Sequence, residues 1–481
     1  MAQNPPPAPL AVTPVANIPG MLVLTLPVPG DNRGWFKENW QRAKMTALGL
    51  PDFGPVQNNI SFNAAIGTTR GIHAEPWDKY VSVATGRIFG AWVDLRAGDS
   101  FGEVFTTELG PDTAVFVPRG VGNAFQTLAE DTAYTYLVND HWSAEATDNY
   151  AFVNLADQSA AIDWPIPLER AELSAKDRAH PALADVEPVQ PLRTLVLGAG
   201  GQLGTALRRH FADRADVDYA TRAEADLTDA AGLAARDFSG YSTIINAGAY
   251  TRVDDAETPD GRTAAWAANA TGVAALARIC AARNLTLVHV SSDYVFDGTS
   301  PSPYPEDAEL SPLGVYGQSK AAGDLAVGTV PRHYLIRTSW VIGDGNNFVA
   351  TMLSLAERGI SPSVVNDQFG RLSFTDTIAA GIAHLLATGA PYGTYNLTNA
   401  GEPASWADIA AEAFAAAGRD RADVTGISTA EYFAGKQAAP RPLNSVLDLN
   451  RIHAAGFAPR DQHEALHAYL ASRSPGGPSP T

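Results

Sequence analysis

Cysteine is nearly absent from this chain: Cys280 is the single thiol in 481 residues. One cysteine excludes an internal disulfide and a thiolate zinc cluster, and its place in an Ala-rich helical run assigns it to core packing. Basic charge is scarce as well. Lys and Arg number 34 against 52 Asp and Glu, a net charge of −18. With no Lys/Arg cluster, nucleic acid is not an expected partner, and anionic ligands need local basic or backbone-amide pockets. No apolar run approaches the roughly 18 residues that mark a spanning helix, so no membrane partner is expected. No positive residue precedes Arg33, and the Pro-rich start lacks an apolar signal core. Residues 1–19 therefore read as a disordered leader, and the protein as cytoplasmic. Internal repeats are missing too. Hydrophobic residues make up 45% of the chain, ample at this length for two or more domains with sizeable cores.

Two styles of sequence follow one another. From Gly20 to about Trp164, short β-branched and aromatic stretches (21–26, 78–83, 87–94, 113–117 and 132–138) are broken by Gly, Pro, Asn and Asp. That spacing predicts an antiparallel sandwich or barrel. From Arg193 onward, apolar strands at 194–197, 243–246 and 286–290 alternate with Ala-rich helical segments. This rhythm predicts a parallel, doubly wound sheet. Between the two, Ala179 to Pro191 carries three prolines and little periodicity, as a linker does. The expected division is a first domain over 20–186, a linker at 187–192, a second domain over 193–471 and a disordered Ser/Pro/Gly-rich tail at 472–481.

The second half carries Tyr316-Gly-Gln-Ser-Lys320 before an Ala-rich run. On a helix this spacing puts phenol and ammonium on one face. A neighbouring ammonium favours phenolate, so the spacing predicts a tyrosine pKa below its usual value of about 10. Upstream lies a strand, a glycine turn and a helix start, Leu195 to Gly204, whose Gly198, Gly201 and Gly204 suit the approach of backbone to a pyrophosphate. No acidic residue stands directly at the end of the second strand; Arg222 is placed to meet a 2′-phosphate, so NADPH is accommodated.

The first half concentrates polar residues at Asp31 to Glu38, Gln57 to Asn63 and Gly67 to Glu75. Arg33, Arg70 and Lys79 add local positive charge suited to an anionic ligand. His73 has no His-x-His partner, so no metal is expected there. The motifs Asp31-x-Arg33-Gly34-x-Phe36-x-Glu38, Gln57-x-Asn59-x-Ser61, Arg70-Gly71-Ile72-His73, Ile162-Asp-Trp-Pro165 and Leu173-Ser-Ala-Lys-Asp177 resemble dTDP-4-dehydrorhamnose 3,5-epimerase. That resemblance implies a cupin-like jelly roll without a cofactor, paired as a homodimer through this domain. It implies His73 as general base, Asp177 orienting it, Tyr136 returning a proton on the opposite face and Lys79 stabilising the enolate oxygen. It further implies Arg33, Glu38, Gln57, Asn59, Arg70, Lys176 and Trp142 as substrate contacts. Asn123 stands where the family usually has a histidine.

In the second half, Asn246-Ala-Gly-Ala-Tyr-Thr251, Val290-Ser-Ser-Asp-Tyr-Val-Phe-Asp-Gly298, Tyr316-x-x-x-Lys320, Arg337-Thr-Ser-Trp340, Asp367-Gln-Phe-Gly370 and Arg441-Pro-Leu-Asn-Ser445 resemble dTDP-4-dehydrorhamnose reductase, an extended short-chain dehydrogenase with a Rossmann-type domain. The resemblance implies Tyr316 as proton donor, Lys320 holding ribose and tyrosine, and Ser292 polarising the ketone. Thr251, Asp293 and Trp340 match substrate contacts. Gly198, Gly201, Gln202, Leu203, Gly204, Arg222, Asp226, Leu227, Ala247 and Ala249, with Tyr316 and Lys320, match the NADPH or NADH site. Ala206 replaces a glutamate that binds magnesium in some relatives, so that ion is not expected. Together the halves imply a fused enzyme taking a dTDP-4-keto-6-deoxyhexose to dTDP-L-rhamnose. The alternatives are a related dTDP-deoxysugar, or a catalytically silent scaffold on the same folds.

Overall fold

The computed structural model describes residues 8–142 and 145–473, and its contacts divide the chain into two compact units between Pro191 and Leu192. In the first unit, thirteen strands and two short helices follow in the order β1 (Ala11–Pro14), β2 (Leu22–Thr25), β3 (Gly30–Asp31), β4 (Gly34–Trp35), α1 (Arg42–Ala47), β5 (Gln57–Asn63), β6 (Thr69–Ala74), β7 (Lys79–Thr85), β8 (Ile88–Asp94), β9 (Val104–Leu109), β10 (Thr113–Val117), β11 (Val121–Thr127), β12 (Thr132–Val138), β13 (Ala151–Phe152) and α2 (Ala175–Arg178). They build a six-stranded sheet, β1-β2-β10-β7-β12-β5, a five-stranded sheet, β13-β6-β11-β8-β9, and a separate hairpin of β3 and β4. All pairings within both sheets are antiparallel, as the short alternating stretches predict. Val81, Val115 and Tyr134 of one sheet share a core with Trp92, Val121 and Phe125 of the other, so the inner faces pack together.

Two terminal expectations need correction. Residues 11–14, assigned to a disordered leader, form β1 against β2, because Leu10 and Val12 pack onto the apolar cluster under α1. The Pro-rich stretch 179–191 is not free chain. Leu183 is buried, Val186 and Val189 pack beside it, and Val189 exchanges backbone hydrogen bonds with Leu95 and Ala97. Apolar residues at three-residue intervals let a segment whose regular structure is one 3-10 turn, Leu183–Asp185, bury one edge; this includes Val189 within the expected 187–192 linker.

The second unit opens with β14 (Arg193–Leu197), α3 (Gln202–His210), β15 (Val217–Ala220), α4 (Ala230–Ala235), β16 (Tyr241–Asn246), α5 (Pro259–Trp266), α6 (Gly272–Ala282), β17 (Thr286–Ser292), α7 (Val315–Val327) and β18 (His333–Thr338). Short strands β19 (Val341–Ile342), β20 (Ser363–Val365), β21 (Phe369–Gly370) and β22 (Ser373–Phe374), with α8 (Phe348–Glu357) and α9 (Thr375–Thr388), precede β23 (Gly393–Asn396). The main sheet runs β15-β14-β16-β17-β18-β23, all parallel. Period-two alternation sends Leu195, Leu197, Ile244 and Leu287 to one face, under α4, α6 and α7. Val196, Ile245, Val288 and Ile336 go to the other, under α3 and α9. Each such side chain contributes roughly 1.5–3 kcal/mol by leaving water. Strands buried on both faces read as continuous apolar runs, which is why they were legible in the sequence. Because β14 has β15 on one side and β16 on the other, the carboxyl ends of β14 and β16 open the crevice where doubly wound sheets bind ligands. The last helix runs Gln462–Arg473, past the expected end at 471; residues 474–481 of the expected tail lie outside the described residues. No described helix is long and apolar enough to cross a membrane.

Candidate functional site

The first unit gathers His73 and Arg70 on β6, Lys79 at the start of β7, Tyr136 on β12 and Gln57 and Asn59 on β5. Tyr136 sits opposite Asn59 on one side and Val81 on the other, and the Lys79 ammonium lies 5.6 Å from its ring centroid. Lys79 is buried, and the Glu75 carboxylate 2.8 Å away compensates its charge. Glu75 also accepts a 2.6 Å hydrogen bond from Trp77 Nε1. Glu75 thus fixes where the ammonium points.

His73 Nε2 lies 3.1 Å from Asp177 Oδ1. Asp177 enters from α2, whose first turn is capped by Ser174. Burial pushes the Asp177 carboxyl up, but hydrogen bonds from His73 and Ser174, with the two neighbouring imidazoles, outweigh it and hold the group below its ordinary value. An ionised carboxylate only accepts, so Nε2 carries the proton and Nδ1 keeps the lone pair. Tyr136 is raised by burial first and by Glu75 second, and stays a neutral phenol. The first unit thus holds an imidazole oriented by a carboxylate and, on β12, a neutral phenol beside an ammonium. Phe152 flanks His73 at 5.4 Å, and Lys176 lies over the Phe152 ring.

Other expected contacts stand further out. Gln57 bonds Asn59 and accepts from the Trp142 backbone; the Trp142 ring is exposed. Arg70 bonds Asn63. Arg33 and Glu38 engage Asp31 and Lys44, and no described hydrogen bond joins either to the His73 group.

In the second unit, Gly198 has φ +77° and a Cβ there would lie 2.5 Å from the Gly248 nitrogen; one on Gly204 would lie 2.4 Å from the Gly198 oxygen. Only bare backbone lets the turn, β16 and α3 approach this closely. Gly201 caps α3, so free amides of its first turn face the crevice. Gln202 follows, its Nε2 donating to Asn346 O; after β16, Ala247 packs against the core under α3 and α9, and Ala249 is exposed. Leu203 and Leu227 turn their side chains into the two cores. Arg222 is exposed beyond β15, 3.1 Å from Asp226, which also accepts from Thr228.

Ser292 ends β17 and donates to Asp293 Oδ1 at 2.9 Å. Asp293 is buried, and its carboxyl is pushed up to about 6 against hydrogen bonds from Ser445 and Ser292. Tyr316 and Lys320 project from α7. The expected lowering of the tyrosine pKa is contradicted: burial, then the Asp293 charge, push Tyr316 above its ordinary value, and only a hydrogen bond with Ser292 works the other way. Desolvation of the phenolate dominates, and the Lys320 ammonium is given to Val290 O at 2.7 Å. Burial brings Lys320 itself down to about 8, Asp324 opposing.

Trp340 stacks on Trp406 with centroids 3.7 Å apart, and Gly370 lies against its edge, where a Cβ would come within 2.7 Å of the ring. Thr251 is exposed near the end of β16. Four partners escaped the sequence reading. They are Glu75, His180, His289 and Asn269. His289, fully buried, takes a 3.0 Å bond from Asn246 and lies 3.5 Å from Lys320. A lone polar residue in the apolar run 287–290 was its signal. Asn269, in the π turn Ala267–Thr271, ties Tyr250 to Ser319 on α7.

Comparison with known families supplies the decision. The family described as RmlD substrate binding domain matches residues 192–474, and dTDP-4-dehydrorhamnose 3,5-epimerase matches 15–185. Protein RmlC homolog of Streptococcus pyogenes is 51% identical over 188 residues, 38% of this chain and 94% of that protein. The chain belongs to both families. A dTDP-4-dehydrorhamnose reductase of Aggregatibacter actinomycetemcomitans is 40% identical over 291 residues, 57% of this chain and 97% of that protein. The solved reductase of Bacillus anthracis in complex with NADP is 32% identical with a TM-score of 0.54, covering 58% of this chain and 99% of that one. Epimerase and reductase domains of the dTDP-rhamnose pathway are thus fused in one chain.

Proposed function

We propose that the first unit, a cupin-like jelly roll, inverts C3 and C5 of dTDP-4-dehydro-6-deoxy-D-glucose, and that the second, a Rossmann-type extended short-chain dehydrogenase, reduces the 4-keto group to give dTDP-L-rhamnose. The observation that carries this is the presence, in separate units, of an acid–base set (His73, Asp177, Tyr136, Lys79) and a ketone-reducing set (Ser292, Tyr316, Lys320). The 4-keto group acidifies the hydrogens at C3 and C5. His73 Nδ1 removes each proton, Lys79 stabilises the enolate oxygen, and Tyr136 returns a proton from the far side. Arg33, Glu38, Gln57, Asn59, Arg70, Lys176 and Trp142 hold the nucleotide sugar. Exposed Ile60 and Phe62 on the edge strand β5 support pairing of two copies through this unit.

The Gly198–Gly204 cradle fits a pyrophosphate, and exposed Arg222 fits the 2′-phosphate of NADPH, with NADH as the alternative. When bound, the nicotinamide supplies hydride to the ketone. Ser292 polarises that carbonyl, Tyr316 protonates the developing alkoxide, and Lys320 holds ribose and tyrosine. Thr251, Asp293 and Trp340 contact the sugar nucleotide. One thiol and no described membrane-crossing helix accord with a cytoplasmic setting. Incubating the purified protein with the keto sugar and NADPH, then identifying the product sugar, tests the reading. An unreduced or singly inverted product overturns it.

Two further results are expected. Lys320 works as an ammonium, so the reductase kcat/KM should be level between the Asp293 transition at about 6 and about 8, and fall as pH rises through about 8, where the Lys320 proton leaves. A limb near 10 would show that Lys320 keeps its ordinary basicity. If the intermediate diffuses freely, a mixture of His73→Ala and Tyr316→Phe proteins should form rhamnose that neither forms alone, with recovery rising with concentration. A mixture that stays inactive while each half-reaction survives would show transfer within one chain.

A further inference from the structure

His180 is 8% exposed; its ring nitrogens meet no side chain within hydrogen-bond distance, and the Val153 backbone is the polar group beside them. The His180 Nε2 points at Asp177 Oδ1, 3.9 Å away, and its ring centroid lies 5.2 Å from that of His73. Phe152 closes the other side at 4.8 Å. One ligand atom from each of His73, Asp177 and His180 lies within 4.8 Å of the other two.

We infer that His73, Asp177 and His180 form a binding site for a divalent transition ion, and that occupancy reversibly silences the epimerase. Two imidazoles and one carboxylate suit Zn²⁺. Two ligands about 2.1 Å from a tetrahedral ion lie roughly 3.4 Å apart. The 3.1 Å spacing of His73 and Asp177 already meets that, and His180, 3.9 Å from Asp177 and within 4.8 Å of the His73 ligand atom, has to move inward toward both. Asp177 and His180 sit three residues apart across the end of α2, a short chelating pair to which β6 adds the third ligand. The His73 side chain is 31% exposed, so the fourth position opens outward.

The inhibitory consequence follows from the tautomer, and rests on the proposed role of His73. With Nε2 donating to Asp177, the lone pair is on Nδ1. A cation on Nε2 takes that nitrogen's lone pair and displaces its proton, and a neutral imidazole must then carry hydrogen on Nδ1. The base atom is lost although no residue has left the site.

The full-length protein, stripped with a chelator and desalted, should bind one Zn²⁺ by calorimetry, and solvent deuterium exchange into the keto sugar should fall in step with occupancy. His180→Phe, which keeps the ring packing, and His180→Gln should each keep exchange without zinc, bind zinc at least about tenfold more weakly, and need correspondingly more zinc for inhibition. Zinc held by His463, His467 and Glu412 of the second unit would not respond to these changes. Absence of saturable binding, equal affinity in both His180 variants, or occupancy without slower exchange would each overturn the inference. If exchange is absent even without zinc, the proposed epimerase role fails, while the isotherms still decide the ion site.

Discussion

Replacing Tyr316 with phenylalanine is expected to lower NADPH oxidation by about 10²–10⁴-fold, the range that general acid catalysis supplies. The phenol is neutral because its surroundings disfavour phenolate, so it arrives carrying the proton that the alkoxide requires. Phenylalanine keeps the ring and its edge contact with Tyr294 at 5.5 Å, leaving α7 seated on β17. What is lost is the hydroxyl near Ser292. Solvent deuterium exchange into the keto sugar should continue at the parental rate, since the His73 group lies in the other unit. Both readings come from one sample, by absorbance of the nicotinamide and by NMR of the sugar. A loss smaller than about tenfold would remove Tyr316 from the role of proton donor.

His73→Ala should have the complementary effect, abolishing deuterium exchange at C3 and at C5 alike while leaving hydride transfer intact when pre-epimerised keto sugar is supplied. One imidazole oriented by one carboxylate is the only base assigned, so both carbons depend on it. The deletion should cost at least about 10²-fold at each. Asp177→Asn is expected to fall between the two. Its amide can still meet Nε2, but without the charge that holds the imidazole in its working tautomer. Exchange persisting at one carbon of His73→Ala would reveal a second base and divide the two inversions between residues.

The magnitudes at the reductase site show why burial, and not neighbouring charge, sets its chemistry. Lys320 is 1% exposed, and its buried amine resists protonation even with Asp324 nearby. Asp324 is in turn committed to Arg337 at 3.0 Å, a pair buried beneath β18. Removing one partner of such a pair leaves an uncompensated charge, so Arg337 of the motif Arg337-Thr-Ser-Trp340 holds α7 to the sheet.

The order of strands and helices was legible because it rests on local rules. Period-two alternation and Gly/Asn/Asp breaks gave the antiparallel half, and doubly buried apolar runs gave the parallel half. The same holds for spaced motifs: Tyr316 and Lys320 share a helical turn by geometry alone, and the glycines from Gly198 to Gly204 stand where the close approach of β16 and α3 forbids a Cβ. Proton positions and partners were decided only by tertiary structure, since they depend on residues far apart in the chain. Spacing placed an ammonium beside Tyr316, but the fold buried both groups and handed Lys320 to Val290, which reversed the expected direction of the tyrosine shift. His73 meets Asp177 across 104 residues, and His180, hidden in a Pro-rich stretch that read as linker, joins them because Leu183 and Val189 anchor that stretch to the first unit. Desolvation is a property of the packed whole, so no local pattern announces it.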